Sequence, residues 1–319
     1  MSNPVDEPHA AIRCATTTTP ADKYAAGSAD PMVSGEPVEV SEGVFVIGDD
    51  RVPFVPNIGI VVGEHAALVI DTGIGPSNGA VVLDHARRLA GKGKLYLAIT
   101  QLDPGHGFGA QAFKGVATIV YSNAQRYRLH RHAASYVHTF QTLSPIVATR
   151  LEGLELVDCD ISYDRRIDID LGGTRAVLRQ WGPAHTTDDQ TIHIGNRILF
   201  GGDLFETRMF PILPYFPPFD THFDGRRWID TLDRLIANPP DIVVPGHGEI
   251  TDVDQVTAVR DYLQYLSEQT RRLWLSGASA AETAATIAEQ AQTTWTTWDG
   301  PRNIRHAVRA FYDQFEREQ

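Results

Sequence analysis

Six polar residues stand where apolar strands run out into glycine-containing loops. Three lie in one stretch, Leu97-Ala98-Ile99-Thr100-Gln101-Leu102-Asp103-Pro104-Gly105-His106-Gly107-Phe108-Gly109. Residues at i and i+2 on a strand end point the same way, so Gln101 and Asp103 can face one spot. A turn through Pro104 and Gly105 can swing His106 toward it. His185 closes Gly182-Pro183-Ala184, Asp203 follows Gly201-Gly202, and His247 follows Pro245-Gly246. Imidazoles and carboxylates are the usual ligands of Zn, Fe or Mn, and glycines let backbone close in on a crowded centre. A single His or Asp at a strand end is more often a turn or capping residue. Four such junctions in one chain point to a metal centre.

The elements that must carry these junctions follow from periodicity. Val38 to Gly48 alternates and predicts a strand or hairpin. Asn57–Val62 and Ala66–Ile70 form a second hairpin around Gly63-Glu64-His65, and Lys94 to Thr100 is the next strand. Helical spacing covers Pro76 to Leu89 and Ser122 to Ala148, the latter broken near Thr139 to Pro145, and a helix is expected to start at Gly107. Strands are expected at 117–121, 154–160, 166–171, 174–180, 191–194, 197–200 and 241–244. Helices are expected at 224–236, 252–275, 280–291 and 301–315, the third opened by the capping-box sequence Ser279-Ala280-Ala281-Glu282. Hairpins exclude a purely parallel doubly wound sheet. Residues 1–37, rich in Ala, Thr, Ser, Pro and Asp, read as a flexible arm, and residues 38–319 as a single domain.

Net charge is −12 and no Lys/Arg-rich run occurs, which argues against nucleic-acid or anionic-membrane partners. Neither Cys14 nor Cys159 belongs to a CxxC pair, so reduced thiols are expected. No apolar run approaches the roughly 20 residues of a membrane helix, and no signal-peptide core is visible. The expected setting is cytoplasmic. No nucleophile elbow, phosphate loop or dinucleotide fingerprint is present.

Taken together, Ile70-Asp71-Thr72-Gly73, Thr100 to Gly109, Gly182-Pro183-Ala184-His185-Thr186, Leu199-Phe200-Gly201-Gly202-Asp203 and Val244-Pro245-Gly246-His247-Gly248 resemble the metallo-β-lactamase superfamily over about residues 38–270. The likeness is to hydrolases akin to glyoxalase II, thioesterases and lactonases. It implies an α/β (α+β) fold, an αββα sandwich of two mixed β-sheets flanked by helices, with the metal site at one edge. It also implies that Asp71 supports the site from behind the ligands.

The departures from the family pattern T-H-x-H-x-D-H are concentrated in the opening stretch. Gln101 and Asp103 replace two histidines and Gly105 replaces the aspartate, so only His106 remains. Family site 1 would use positions 101, 103 and 185 with Asp203 bridging. Site 2 would use 105, 106 and 247 with the same bridge. His106, Asp203 and His247 survive as a two-histidine, one-carboxylate set suited to Fe and usable by Zn or Mn. One divalent ion is expected there, or in a merged site with His185 and Asp103 as extra ligands. A metal-free relative is the alternative.

The expected function is hydrolysis of an ester, thioester or lactone of an apolar small molecule at this reduced centre. Two alternatives stand beside it. One is non-hydrolytic lyase, isomerase or cyclase chemistry with Asp103 as general base. The other is a catalytically silent binding protein. Met209 to Phe219, apolar and proline-rich, reads either as a lid over an apolar pocket or as a buried connection against the C-terminal helices. Those helices could equally form a homodimer surface or cap the core.

Overall fold

The computed structural model describes residues 29–319 apart from positions 215, 217 and 218. Seven strands follow chain order across the first sheet. They are β1 (Val38–Ser41), β2 (Val44–Ile47), β3 (Ile58–Val62), β4 (Ala66–Ile70), β5 (Lys94–Ala98), β6 (Thr118–Ser122) and β7 (Ile161–Tyr163). The first four pair antiparallel, β2 and β3 across a longer connection, and β4 to β7 run parallel. Parallel neighbours need long crossovers. These carry α1 (Gly75–Ala90), the single turn α2 (Pro104–Gly107), α3 (Asn123–Gln141) and α4 (Pro145–Arg150). The second sheet holds β8 (Arg166–Asp170), β9 (Arg175–Gln180), β10 (Gln190–Ile194), β11 (Ile198–Phe200) and β12 (Ile242–Val244). Here β12 lies parallel to β11 after a crossover through α5 (Gly225–Ile236). Three helices complete the chain: α6 (Val253–Leu275), α7 (Ala280–Thr294) and α8 (Asn303–Arg317).

Strand alternation explains the layering. On β4, Ala67 and Val69 face the α1/α3 layer, while Leu68 and Ile70 face the other sheet. Leu68, Ile70, Ala98 and Val120 meet Leu178, Ile192, Phe200 and Val244 between the sheets. Leu199 and Val243 turn outward onto Trp228, Leu263 and Phe311 of α5, α6 and α8. Both sheets are thus buried on both faces, which is the expected αββα sandwich.

Three local expectations differ. Residues 154–160 form no strand. Asp158 is bound by Arg126 and His130, and Ile119 pairs with Asp160 instead of a ladder partner, so regular pairing begins only at Ile161. The helix expected from Gly107 is one turn starting at Pro104, followed by a 3₁₀ turn at Ala110–Phe113. There the Gly109 N–H donates to Gly73 O and Thr72 Oγ1 rather than continuing a helix. The end of the expected arm is packed. Val33 is buried, its N–H donates to Asn78 Oδ1 at 2.6 Å, and Asn78 Nδ2 donates to Pro31 O. Residues 1–28, with Cys14, lie outside the described residues, and Cys159 carries a free thiol. Among the described residues no helix is long and apolar enough to cross a membrane.

The register brings the polar junctions to one edge. Phe200 pairs with Val244, so Asp203 and His247 each leave the sheet three residues past that pair. Asp71 and Gln101 leave the other sheet beyond the parallel pair Ile70 and Ala98. Trp228 anchors this edge from outside: it is fully buried and its indole Nε1 donates to Leu204 O at 2.8 Å, one residue after Asp203. Trp228→Ala is expected to cost about 3–5 kcal/mol. Urea unfolding checks this, with the midpoint falling and the slope unchanged.

Candidate metal centre

Asp71 closes β4 with φ +66, a left-handed conformation that costs a non-glycine residue about 1–3 kcal/mol. The carboxylate reached this way makes three contacts. Oδ1 accepts the Thr100 N–H (2.7 Å), and Oδ2 accepts the Thr100 hydroxyl (2.8 Å) and lies 2.9 Å from His106 Nδ1. A carboxylate only accepts, so Nδ1 carries the proton and Nε2 is the nitrogen turned to the centre. There His106 Nε2 lies 3.2 Å from Asp203 Oδ2.

Asp203 follows Gly201-Gly202 at the end of β11. A Cβ at Gly246 would stand 1.9 Å from Asp203 Oδ1, so glycine there makes the room for the carboxylate. His247 follows directly, with Nε2 3.7 Å from Asp203 Oδ1 and Nδ1 3.6 Å from Asp49 Oδ2. Asn57 holds this loop through Pro245 O and Gly248 O, and Asp49 accepts the Gly248 N–H. Among the described residues, His106, Asp203 and His247 form a group whose donor atoms all lie within 4.8 Å of one another.

This donor set fits a divalent cation. Two imidazoles and one carboxylate are a recurrent facial triad. Asp203 Oδ1 is buried without a hydrogen-bond partner, which is costly unless a cation meets it. Burial opposes a charged imidazole at His106, but Asp203 and Asp71 outweigh it and lift its pKa well above the ordinary value. His247 is raised in the same way against burial by Asp203 and Asp49. Burial pushes the Asp203 carboxyl up, and His106 and His247 more than reverse this, holding it below the usual range.

The other expected residues are placed elsewhere. Gln101 is buried, and its amide Nε2 donates to Asp203 Oδ2 (2.8 Å) and Asp103 Oδ2 (3.2 Å). Asp103 Oδ1 accepts from Arg128 at 2.8 Å. His185 Nε2 lies 2.7 Å from Ile212 O and its Nδ1 3.6 Å from Asp189 Oδ1. Neither Asp103 nor His185 belongs to the group of three. At Gly105 a Cβ would lie 3.1 Å from Phe54 O, so the β2–β3 connection crowds any side chain placed there.

Four contributors went unnoticed in the sequence. Arg128 is fully buried on α3 and binds Asp103, Asp188, Asp220 and the Tyr136 hydroxyl. Its signal was available: it lies on the helical stripe of Gln125, Leu129, Ala133, Tyr136 and Phe140. Asp49 and Asn57 lie in loops with no periodic signal. Glu206 is fully buried beside the centre with Oε2 unpartnered, and burial, aided by the Asp203 charge, pushes its carboxyl up to about 8.

The two readings of Met209 to Phe219 divide along its length. Phe210 packs on Tyr262 and Trp298, and its carbonyl accepts from Asn303, so the first part is a connection against the C-terminal helices. Phe216 and Phe219 instead reach Tyr136 on α3, close to Phe140 and Phe54.

With this geometry in view, the model of the metallo-beta-lactamase superfamily matches residues 51–247. The chain belongs to the metallo-beta-lactamase superfamily. Members of that superfamily are mostly metal-dependent hydrolases using divalent metals, typically zinc. A metallo-beta-lactamase from Pontibacter korlensis is similar at 18% identity and TM-score 0.57, covering 72% of this chain and 99% of that one. A stereoselective inverting sec-alkylsulfatase from Pseudomonas sp. is similar at 12% identity and TM-score 0.65, over 88% of this chain and 50% of that one. At these identities the likeness is one of fold. No curated protein matches the chain.

Two outcomes follow. Because the Phe54 backbone occupies the space beside position 105, Gly105→Asp is expected to lower stability by about 1–3 kcal/mol. The variant should bind no more zinc than the parent, as denaturant titration and metal analysis will read. Second, Asp189 raises His185 against burial from 6.5 to about 9, and burial raises Glu206 from 4.5 to about 8. Both bind their proton more tightly folded than unfolded. The stability they add to the metal-free protein is complete below each ordinary value and is lost toward each raised one. Unfolding midpoints of metal-free protein should therefore fall between pH 6.5 and pH 9.

Proposed function

We propose that this chain is a metal-dependent hydrolase with one divalent ion held by His106, Asp203 and His247, acting on an ester, thioester or lactone of an apolar small molecule. The observation that carries this reading is how the donors at the family's ligand positions are spent. Three converge on one point with Asp203 Oδ1 unpartnered, while the donors of a second ion are engaged elsewhere: Gln101 on Asp203, Asp103 on Arg128 and His185 on Ile212.

A bound divalent ion would supply Lewis acidity and a more acidic water. The residues of the chain do the rest. Asp71 and Asp49 stand behind His106 and His247 and orient the rings. The low exposure of His106, Asp203 and His247 keeps bulk water from competing. Phe54, Phe216 and Phe219, half-buried around the buried Tyr136 and Phe140, offer apolar surface to an acyl group. Zinc fits the donors, and iron and manganese fit them as well. The reading with Asp103 as general base draws less support, because both of its carboxylate oxygens already accept hydrogen bonds.

Protein purified without a histidine tag should carry close to one equivalent of Zn, Fe or Mn by elemental analysis. His247→Ala and Asp203→Asn should each lose it. Stripping the metal should abolish turnover across a panel of aryl esters, thioesters and lactones, and restoring it should bring turnover back. Absence of any stoichiometric metal would sink the proposal.

A further inference from the structure

His185 stands beside the centre yet faces a main-chain carbonyl. Its Nε2 lies 2.7 Å from Ile212 O. A carbonyl oxygen can only accept, so Nε2 carries a proton in this contact. The ring is held from two other sides. Trp228 packs against it with centroids 5.2 Å apart, and Asp189, itself fixed by the Thr186 N–H and hydroxyl, lies across from Nδ1 at 3.6 Å, leaving Nδ1 without a hydrogen bond.

The residue that meets this donor stands out between buried neighbours, Pro211 and Leu213. The Ile212 side chain is 41% exposed, and the Ile212 N–H reaches Glu206 Oε1 only at 3.5 Å. Pro211 and Pro214 on either side have no N–H to anchor the segment. Ile212 thus spans the two groups, its carbonyl on His185 and its N–H toward Glu206.

We propose that His185 donates its Nε2 hydrogen to the substrate oxygen that becomes negatively charged during acyl transfer, and that the Ile212 carbonyl holds this place until the substrate displaces it. The assignment rests on the hydrolase reading and gives it a donor where Gln101 and Asp103 have removed the ligands of a second cation. Preorganised donors at such an oxygen are a major source of rate in acyl transfer. The ligand class is an acyl compound whose carbonyl takes the position of Ile212 O.

Butylphosphonate, a tetrahedral anion with an apolar tail, probes the site without turnover. In protein labelled with ¹⁵N-histidine, one equivalent of zinc should move the His106 and His247 imidazole resonances and leave the His185 Nε2 proton in place. Butylphosphonate should then shift the His185 Nε2 signal. His185→Ala should bind butylphosphonate at least tenfold more weakly at unchanged zinc content. His185→Gln, which retains an N–H donor, should recover part of the loss. Zinc removing the His185 Nε2 proton would overturn the proposal, as would equal butylphosphonate binding by the parent and His185→Ala. Failure of His106 and His247 to take up zinc counts against the hydrolase reading alone, because the His185 signal still reports butylphosphonate in metal-free protein.

Discussion

A carboxylate in the interior must be neutralised, and at Asp203 most of the site exists to do this. The group is almost fully buried, one oxygen has no hydrogen-bond partner, and two imidazoles and an amide converge on it. An isolated buried carboxylate would simply protonate. Here the surrounding positive character keeps it ionised. The glycines at 202 and 246 let the backbone of both sheets close around it, and Asp71 and Asp49 brace the histidines from behind. Removing any of these would leave charge uncompensated rather than merely deleting a contact.

Where the family pattern places the ligands of a second metal, this chain carries a hydrogen-bonded network of an amide, carboxylates and an arginine. Gln101 bridges Asp203 and Asp103 with amide hydrogens. Arg128 brings a permanent positive charge to Asp103, Asp188 and Asp220. Against burial, Tyr136 and these carboxylates hold the guanidinium in its charged form. A guanidinium presents several fixed donors and suits a planar array of carboxylates. The arrangement is self-consistent: replacing a histidine by Asp103 introduces a negative charge, and a buried arginine one helix away balances it.

Much of the fold was legible before any coordinates. Both hairpins, the α1 and α3 helices, the break before α4 and the C-terminal helices all follow from period and caps, because each element buries a face over several turns or residues. The misses share a cause. Residues 154–160 have strand-like alternation, but side-chain bonds from Asp158 and Asp160 took the backbone out of register. Arg128 went unnoticed because charge usually signals exposure. Its burial depends on three carboxylates from separate loops, which no local window contains.

The residue types and order by themselves determined the family, the sandwich, the edge where the polar junctions meet, and the survival of only one histidine in the opening motif. Those are properties of hydrophobic period and of short motifs, which are local in the chain. Tertiary structure alone decided which donors converge. His106, Asp203 and His247 meet because two parallel strand pairs end at the same edge. His185 turns to Ile212, Asp103 turns to Arg128, and Phe54 fills the space beside Gly105. Each of these choices is made between groups far apart in sequence, where distance and charge balance outweigh residue type.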